Sequence, residues 1–253
     1  MSLAESFCNR SLANHRMKYC LTQLIHPTCR RCNRVKARVG FLCQACFDHL
    51  DRPRQTCTRC GQWLIAADAI CGGCLNSPPA QRNTHSGFIY KGFIRQEIQR
   101  LKYKKTPMVA KQLATYLAAE LEGLDYASYN WVVPVPSERR RMQERGFNPA
   151  GQIARHLAHR WSQSFIPQLL SRQSGARAQT GCSRSTRLRQ VKGQFKINTA
   201  LRRRLLSEGN PHPSVVLVDD VLTTGATLNE CARILHLAGI QKIVALSVAL
   251  SEV

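Results

Sequence analysis

Residues 215–227 read Val-Val-Leu-Val-Asp-Asp-Val-Leu-Thr-Thr-Gly-Ala-Thr. The run 215–218 is wholly apolar and mostly β-branched, which predicts a strand buried on both faces. Two carboxylates, Asp219 and Asp220, follow at its carboxyl end. A Thr/Gly loop then opens a helical pattern from about residue 227 to residue 238. Open α/β sheets bind ligands in the crevice outside such strand ends. Loop N–H groups and the amino terminus of the following helix can cradle a phosphate. Thr223, Thr224 and Thr227 add hydroxyl donors, and Gly225 permits close backbone approach. Adjacent carboxylates suit sugar hydroxyls, with a divalent ion nearby to offset their charge.

The flanking chain alternates element types. Residues 87–90, 131–135 and 243–250 read as further strands, the second ended by Pro134 and Pro136. Ile94, Ile98 and Leu101 share one helical face, and Leu113, Leu117 and Leu121 recur at four-residue spacing within a helix over 110–121. A helix over 149–161 has Asn148 as its expected cap and Pro149 at its first position, where a missing N–H costs nothing. Apolar strands separated by helices predict an α/β fold with a parallel sheet covered on both faces.

Ten of the twelve cysteines lie in the first 74 residues, and eight form C-x-x-C turns: Cys29/Cys32, Cys43/Cys46, Cys57/Cys60 and Cys71/Cys74. Successive turns start 14 residues apart, as in a ribbon repeated in tandem. Two such turns complete a tetrahedral four-thiolate site for structural zinc, which leaves no position for water. Disulfides and iron–sulfur ligation are the competing readings. Nearest-neighbour pairing gives two zinc sites, while interleaved pairing stays open. Gly61, Gly72 and Gly73 are expected to supply the turns' backbone freedom. The break at Asn76-Ser77-Pro78-Pro79 divides a zinc-ribbon module over 27–77 from a larger domain over 78–253. Residues 1–26 form an extension expected to be disordered; the first 16 or so have no persuasive periodicity, and Met17 offers an alternative start. Cys182 and Cys231 stand alone, the latter on the apolar face of a helix.

Lys and Arg total 37 against 15 Asp and Glu, a net charge of +22. Residues 135–205 alone carry +14, including Arg139, Arg140, Arg141, Arg184, Arg187 and Arg189. Arginine dominates there, and its guanidinium fork suits bidentate phosphate contacts. An anionic partner is favoured over a merely solvated face. No apolar run approaches the roughly 20 residues of a membrane helix. The first 28 residues lack a signal peptide's apolar core, so a cytoplasmic chain without membrane insertion is expected.

The 215–227 segment resembles the 5-phosphoribosyl-1-pyrophosphate (PRPP) binding motif of type I phosphoribosyltransferases. Together with the C-x-x-C turns, Leu101-Lys102-Tyr103, Val133-Pro134-Val135-Pro136, Arg145-Gly146-Phe147-Asn148 and a late Arg/Gln-rich segment, it resembles the ComF family. That family pairs a zinc ribbon with a phosphoribosyltransferase-like domain and is associated with natural competence. By this resemblance Asp219 and Asp220 hold the ribose 2′- and 3′-hydroxyls. Thr223, Thr224, Gly225 and Thr227 hold the 5-phosphate, within a PRPP-binding segment that also includes Val221, Leu222 and Ala226. Val135, Pro136, Ser137 and Arg139 match the pyrophosphate loop, and residues 179–191 the mobile loop. Two positions depart from the pattern, Pro149 in place of Gln and Gln190 in place of Asn.

Two functions of different class follow. As a binding module, the chain would hold PRPP with Mg2+, and single-stranded DNA during uptake or processing in transformation. Its DNA candidates are Lys102, Tyr103, Lys104, Arg140, Arg141, Arg145, Arg184, Arg187 and Arg189, since basic grooves and stacking aromatics bind single strands. A competence helicase or DNA-processing partner is implied by the resemblance alone. As an enzyme, it would displace pyrophosphate from Mg-PRPP with a base or amine, by positioning and electrostatics rather than a covalent nucleophile. No acceptor pocket is legible, and turnover is left open.

Overall fold

Residues 28–64, 70–104, 106–173, 191–207 and 213–252 are described by a computed structural model of the chain. They fall into two units that divide between His49 and Leu50. In the first, antiparallel bridges Thr28–Lys36 and Val39–Leu42 frame the cysteine turns. Helix α1 (Gln44–Asp48) follows Cys43.

The second unit carries α2 (Gly72–Asn76), β1 (Asn83–Ile89), α3 (Gly92–Tyr103), α4 (Met108–Glu120) and β2 (Trp131–Pro134). The chain continues through α5 (Arg139–Arg145), α6 (Pro149–Arg160), β3 (Ser164–Phe165), β4 (Leu170–Arg172) and β5 (Phe195–Ile197). It closes with α7 (Thr199–Ser207), β6 (Ser214–Leu222), α8 (Ala226–Leu237) and β7 (Lys242–Leu250). Five strands make a parallel sheet in the order β1-β7-β6-β2-β3. β4 and β5 form a separate antiparallel pair.

Side chains alternate across a strand, and here both faces are covered. Trp131, Val133, Val215, Leu217, Ile243 and Ala245 form one core with Leu228, Cys231 and Leu235 of α8 and with Leu170 and Phe195 of the small hairpin. α4 and α6 pack against each other and against the sheet, burying Leu113, Leu117, Ile153 and Leu157. The expected α/β class is observed.

Differences from expectation have local causes. β1 begins four residues early because its polar start is paired: Thr84 Oγ1 donates to the Arg59 carbonyl (2.6 Å), and Ser86 Oγ lies 2.7 Å from Ser247 Oγ. β6 runs past Val218 to Leu222, since β7 accompanies it to Leu250. Helix α5 buries no residue, so no apolar periodicity announced it. Among the cysteine-turn glycines only Gly61 has a positive φ (70°), and Gly72 and Gly73 are helical.

The expected module over 27–77 is divided. Its second half belongs to the larger unit, tied there by Thr84 N–H to the Thr58 carbonyl (2.9 Å) and Trp63 Nε1–H to the Ser251 carbonyl (3.2 Å). Among the described residues no helix is long and apolar enough to cross a membrane.

Gly87 lies under α4, and a Cβ there would meet Leu117 Cδ1 at 2.8 Å and the Val248 carbonyl oxygen at 3.4 Å. Gly87→Val should therefore cost about 1–3 kcal/mol through overpacking. The urea midpoint checks this; an unchanged midpoint would mean that the helix and sheet do not pack so closely.

Candidate functional site

The chain leaves β2 for β3 through α6 on one side and leaves β6 for β7 through α8 on the other. The strand order thus reverses between β2 and β6, which is where a crevice opens beyond the carboxyl ends. The β2–β6 ladder stops at the bond from Val135 N–H to the Val218 carbonyl (2.8 Å). Pro136 has no N–H to continue it. Asp219 and Asp220 therefore lie just past the last bond to β2, still held on their other side by β7. A cleft of about 160 Å³ opens there, lined by the acid pair, Thr227, residues 135–138, Asn148 and the cations Lys102, Arg141, Arg145 and Arg172.

The two carboxylates differ. Asp219 accepts the N–H of Asp220 at 2.8 Å, and Asp220 Oδ2 lies 2.6 Å from Lys102 Nζ. Burial, reinforced by the neighbouring Asp220 charge, pushes Asp219 up to about 7. The site thus holds one carboxylate neutralised by an ammonium and another poised to ionise near neutrality. The cleft thus offers carboxylate oxygens as hydrogen-bond acceptors beside cations able to meet an anionic group.

The loop after β6 adds a second, smaller hollow lined by Asp219, Val221, Thr223, Gly225 and Thr227. Gly225, at φ 75°, precedes α8 and lets the loop turn into the helix. Across the cleft, Asn148 stands at the N-cap position of α6 without a side-chain cap bond. Its Nδ2 instead donates to the Val135 carbonyl (2.8 Å), and its Oδ1 accepts from Ser137 Oγ (2.8 Å). The expected cap is a brace for the loop after β2.

The eight expected cysteine ligands form two groups, Cys29/Cys32/Cys43/Cys46 and Cys57/Cys60/Cys71/Cys74, with all sulfurs of a group within 4.8 Å of one another. Nearest-neighbour pairing is thereby observed. The spacings Cys32–Cys43 (3.9 Å) and Cys60–Cys71 (3.7 Å) match the about 3.8 Å edge of a tetrahedron with zinc–sulfur bonds of about 2.3 Å. They are far longer than a disulfide.

Electrostatics point the same way. Burial would raise Cys29 and Cys57, but backbone N–H groups outweigh it and bring each down to about 6. Burial and the neighbouring thiols push Cys46 up to about 12. Burial pushes Cys60 up to about 11 and Cys74 higher still. Four thiolates can coexist here only around a cation, so both groups suit a structural metal ion such as zinc.

Of the expected loop residues, Leu222, Gly225 and Ala226 are buried, Val221, Thr224 and Thr227 half-buried, and Thr223 exposed. Val135 is buried, Pro136 and Ser137 are half-buried, and Arg139 is exposed. Of the expected DNA contacts, Lys102, Arg141 and Arg145 line the cleft itself, while Lys104 and Arg140 are exposed. Tyr103 is 71% exposed, with the Arg145 guanidinium 5.3 Å from its ring centroid. Arg184, Arg187, Arg189 and the loop over 179–190 lie outside the described residues. Arg172 was missed by the sequence reading. It reaches the cleft from β4, where Gln194 Oε1 accepts from its Nη2 at 2.8 Å, and only the β4–β5 pairing reveals it.

No model of a known protein family matches the chain. Among curated proteins it is 28% identical over 200 residues to DNA utilization protein YhgH of Salmonella typhimurium, covering 77% of this chain and 83% of that one. It is 27% identical over 206 residues to competence protein F of Haemophilus influenzae, covering 80% and 87%. It is 24% identical over 201 residues to competence protein ComFC of Bacillus subtilis, covering 77% of each. These relatives bear out the resemblance to ComF proteins. Among solved structures, adenine phosphoribosyltransferase from Thermoanaerobacter pseudethanolicus matches with a TM-score of 0.35 and 17% identity, covering 60% of this chain and 83% of that one.

A carboxyl raised in the folded state stabilises the fold fully below its ordinary range, and that contribution is lost as pH rises through about 7. Asp219→Asn removes the titration. The variant's melting temperature should gain on wild type between pH 4 and pH 8. A difference constant across that range would refute the raised carboxyl.

Proposed function

We propose that the chain is a ComF-type competence protein that binds PRPP in the β2–β6 cleft and single-stranded DNA on its arginine-rich surface. Its role on this reading is DNA uptake or processing during natural transformation. The observation that carries it is the meeting, in one cleft, of the acid pair, the Thr/Gly loop at the α8 amino terminus and a cationic wall. Asp219 and Asp220 accept hydrogen bonds from the ribose hydroxyls. Residues 221–227 receive the 5-phosphate at the positive end of α8. Ser137, Arg141, Arg145 and Arg172 face the pyrophosphate. Mg2+, when bound with PRPP, offsets pyrophosphate charge beside the acid pair. Lys102 must release Asp220 as the diol enters, and its ammonium is then free for a phosphate oxygen.

The DNA reading is supported by the +14 charge of residues 135–205, by exposed Arg139, Arg140 and Tyr103, and by the names of the relatives. A stacked Arg–Tyr pair such as Arg145–Tyr103 offers a base both a flat face and a cation. The four cations around the cleft also favour a second reading, a working transferase. They would stabilise a departing pyrophosphate where its charge develops.

Asp219→Asn with Asp220→Asn should abolish PRPP binding in calorimetry while far-ultraviolet circular dichroism is retained; undiminished affinity would refute the assignment. Phosphorus NMR of Mg-PRPP with a panel of bases separates the readings, since free pyrophosphate appears only if turnover occurs. Single-stranded DNA affinity should fall steeply with salt. Arg139→Ala with Arg140→Ala should flatten the slope by about 0.7 for each phosphate that the two arginines neutralise in wild type. An affinity independent of salt would end the DNA proposal.

A further inference from the structure

The second four-cysteine group stands directly behind the phosphate loop. The Gln62 side chain is buried, and its Nε2 donates to the Thr223 carbonyl at 2.8 Å across 161 residues of sequence. Gln62 is itself fixed by the metal turn: Cys57 N–H donates to the Gln62 carbonyl (2.8 Å), and Gly61 N–H to the Cys57 carbonyl (2.7 Å). A Cβ on Gly61 would lie 2.8 Å from both Leu222 Cδ2 and Thr84 Cγ2. A Cβ on Gly225 would lie 3.6 Å from the Cys60 carbonyl oxygen. The turn therefore touches the loop at positions 222, 223 and 225.

We infer that Gln62 is a positioning residue for the phosphate loop, and that filling the second four-cysteine site with metal strengthens the grip on a sugar 5-phosphate. In a trans peptide the C=O and the following N–H point opposite ways. By holding the Thr223 carbonyl toward the cysteine turn, Gln62 turns the Thr224 N–H away from that turn, toward the side on which a ligand enters. Without that bond the 223–224 peptide is free to rotate and to present a carbonyl to an incoming anion. The metal acts one step further back. Four thiolates gathered on one cation fix the 57–62 turn, and the turn fixes Gln62. The ligand class is a phosphate monoester, and the inference rests on reading residues 221–227 as the 5-phosphate site.

The test titrates ribose 5-phosphate and inorganic pyrophosphate separately into the full chain by calorimetry. The proteins compared are wild type and Gln62→Leu, each with zinc loaded and with zinc stripped by chelator and then restored. Gln62→Leu should lose about tenfold in ribose 5-phosphate affinity, the scale of one hydrogen bond of this kind. Its pyrophosphate affinity, which depends on the opposite wall, should stay within about twofold. Zinc-stripped wild type should show the same split, reversed on restoring zinc. Equal ribose 5-phosphate affinity in Gln62→Leu overturns the positioning role. Parallel loss of both ligands also overturns it, since that marks general loosening. A split in the variant but none on stripping overturns the metal link. Wild type that binds pyrophosphate but not ribose 5-phosphate overturns the phosphate-loop reading, and this inference with it.

Discussion

The hydrogen-bond ladder between β2 and β6 runs out one residue before the acid pair, and the organisation of the cleft follows from that point. Val135 makes the last bond to Val218, and Pro136 can make none. On the other side β7 pairs with β6 to its end. Asp219 and Asp220 are thus held firmly by one neighbour and left open toward the other. Because the connections from β2 and β6 diverge to opposite sides, neither α6 nor α8 crosses over this opening. Asn148 then ties the departing loop back to the Val135 carbonyl, keeping the far wall at a fixed distance from the carboxylates.

Charge is arranged around that opening rather than spread evenly. Several cations serve the fold: Arg52 pairs with Glu120 at 2.7 Å, and Arg233 with Glu230 at 2.7 Å, while Arg202 donates to the Ala238 carbonyl. Others converge on the cleft, where Arg141 meets Glu138 at 3.5 Å and the acid pair stands opposite. Of that pair, Asp220 is neutralised by Lys102, and Asp219 resists ionisation through burial. The four cations outnumber the carboxylates, so the cleft presents net positive charge.

The sheet was legible because its strands are apolar on both faces, and 215–227 placed the Thr/Gly loop and acid pair at the end of β6 by residue type alone. The cysteine spacing identified the ligands, though not their pairing, since local spacing carries no information about which turns meet. Lys102, Arg141 and Arg145 read as surface charge because sequence shows charge but not direction. Only the folded positions of α3 and α5 bring them to the rim of the cleft. Arg172 was illegible for a stronger reason: β4 is three residues long, and its partner lies more than twenty residues on. Asn148 was read as a helix cap from its position before Pro149, and a nearer carbonyl claimed its side chain.

The two cysteine repeats share a turn but not a neighbourhood. In each, the fourth residue after the first cysteine adopts a left-handed backbone and donates its N–H to that cysteine's carbonyl: Asn33 in one, Gly61 in the other. Asparagine tolerates that conformation, so backbone geometry alone does not demand glycine. At Gly61 the demand comes from Leu222 and Thr84, which leave no room for a side chain. The same turn thus stands under unequal steric constraint in the two repeats. Transplanting the first ribbon's turn into the second would keep all four cysteines and still drive a side chain into Leu222 and Thr84.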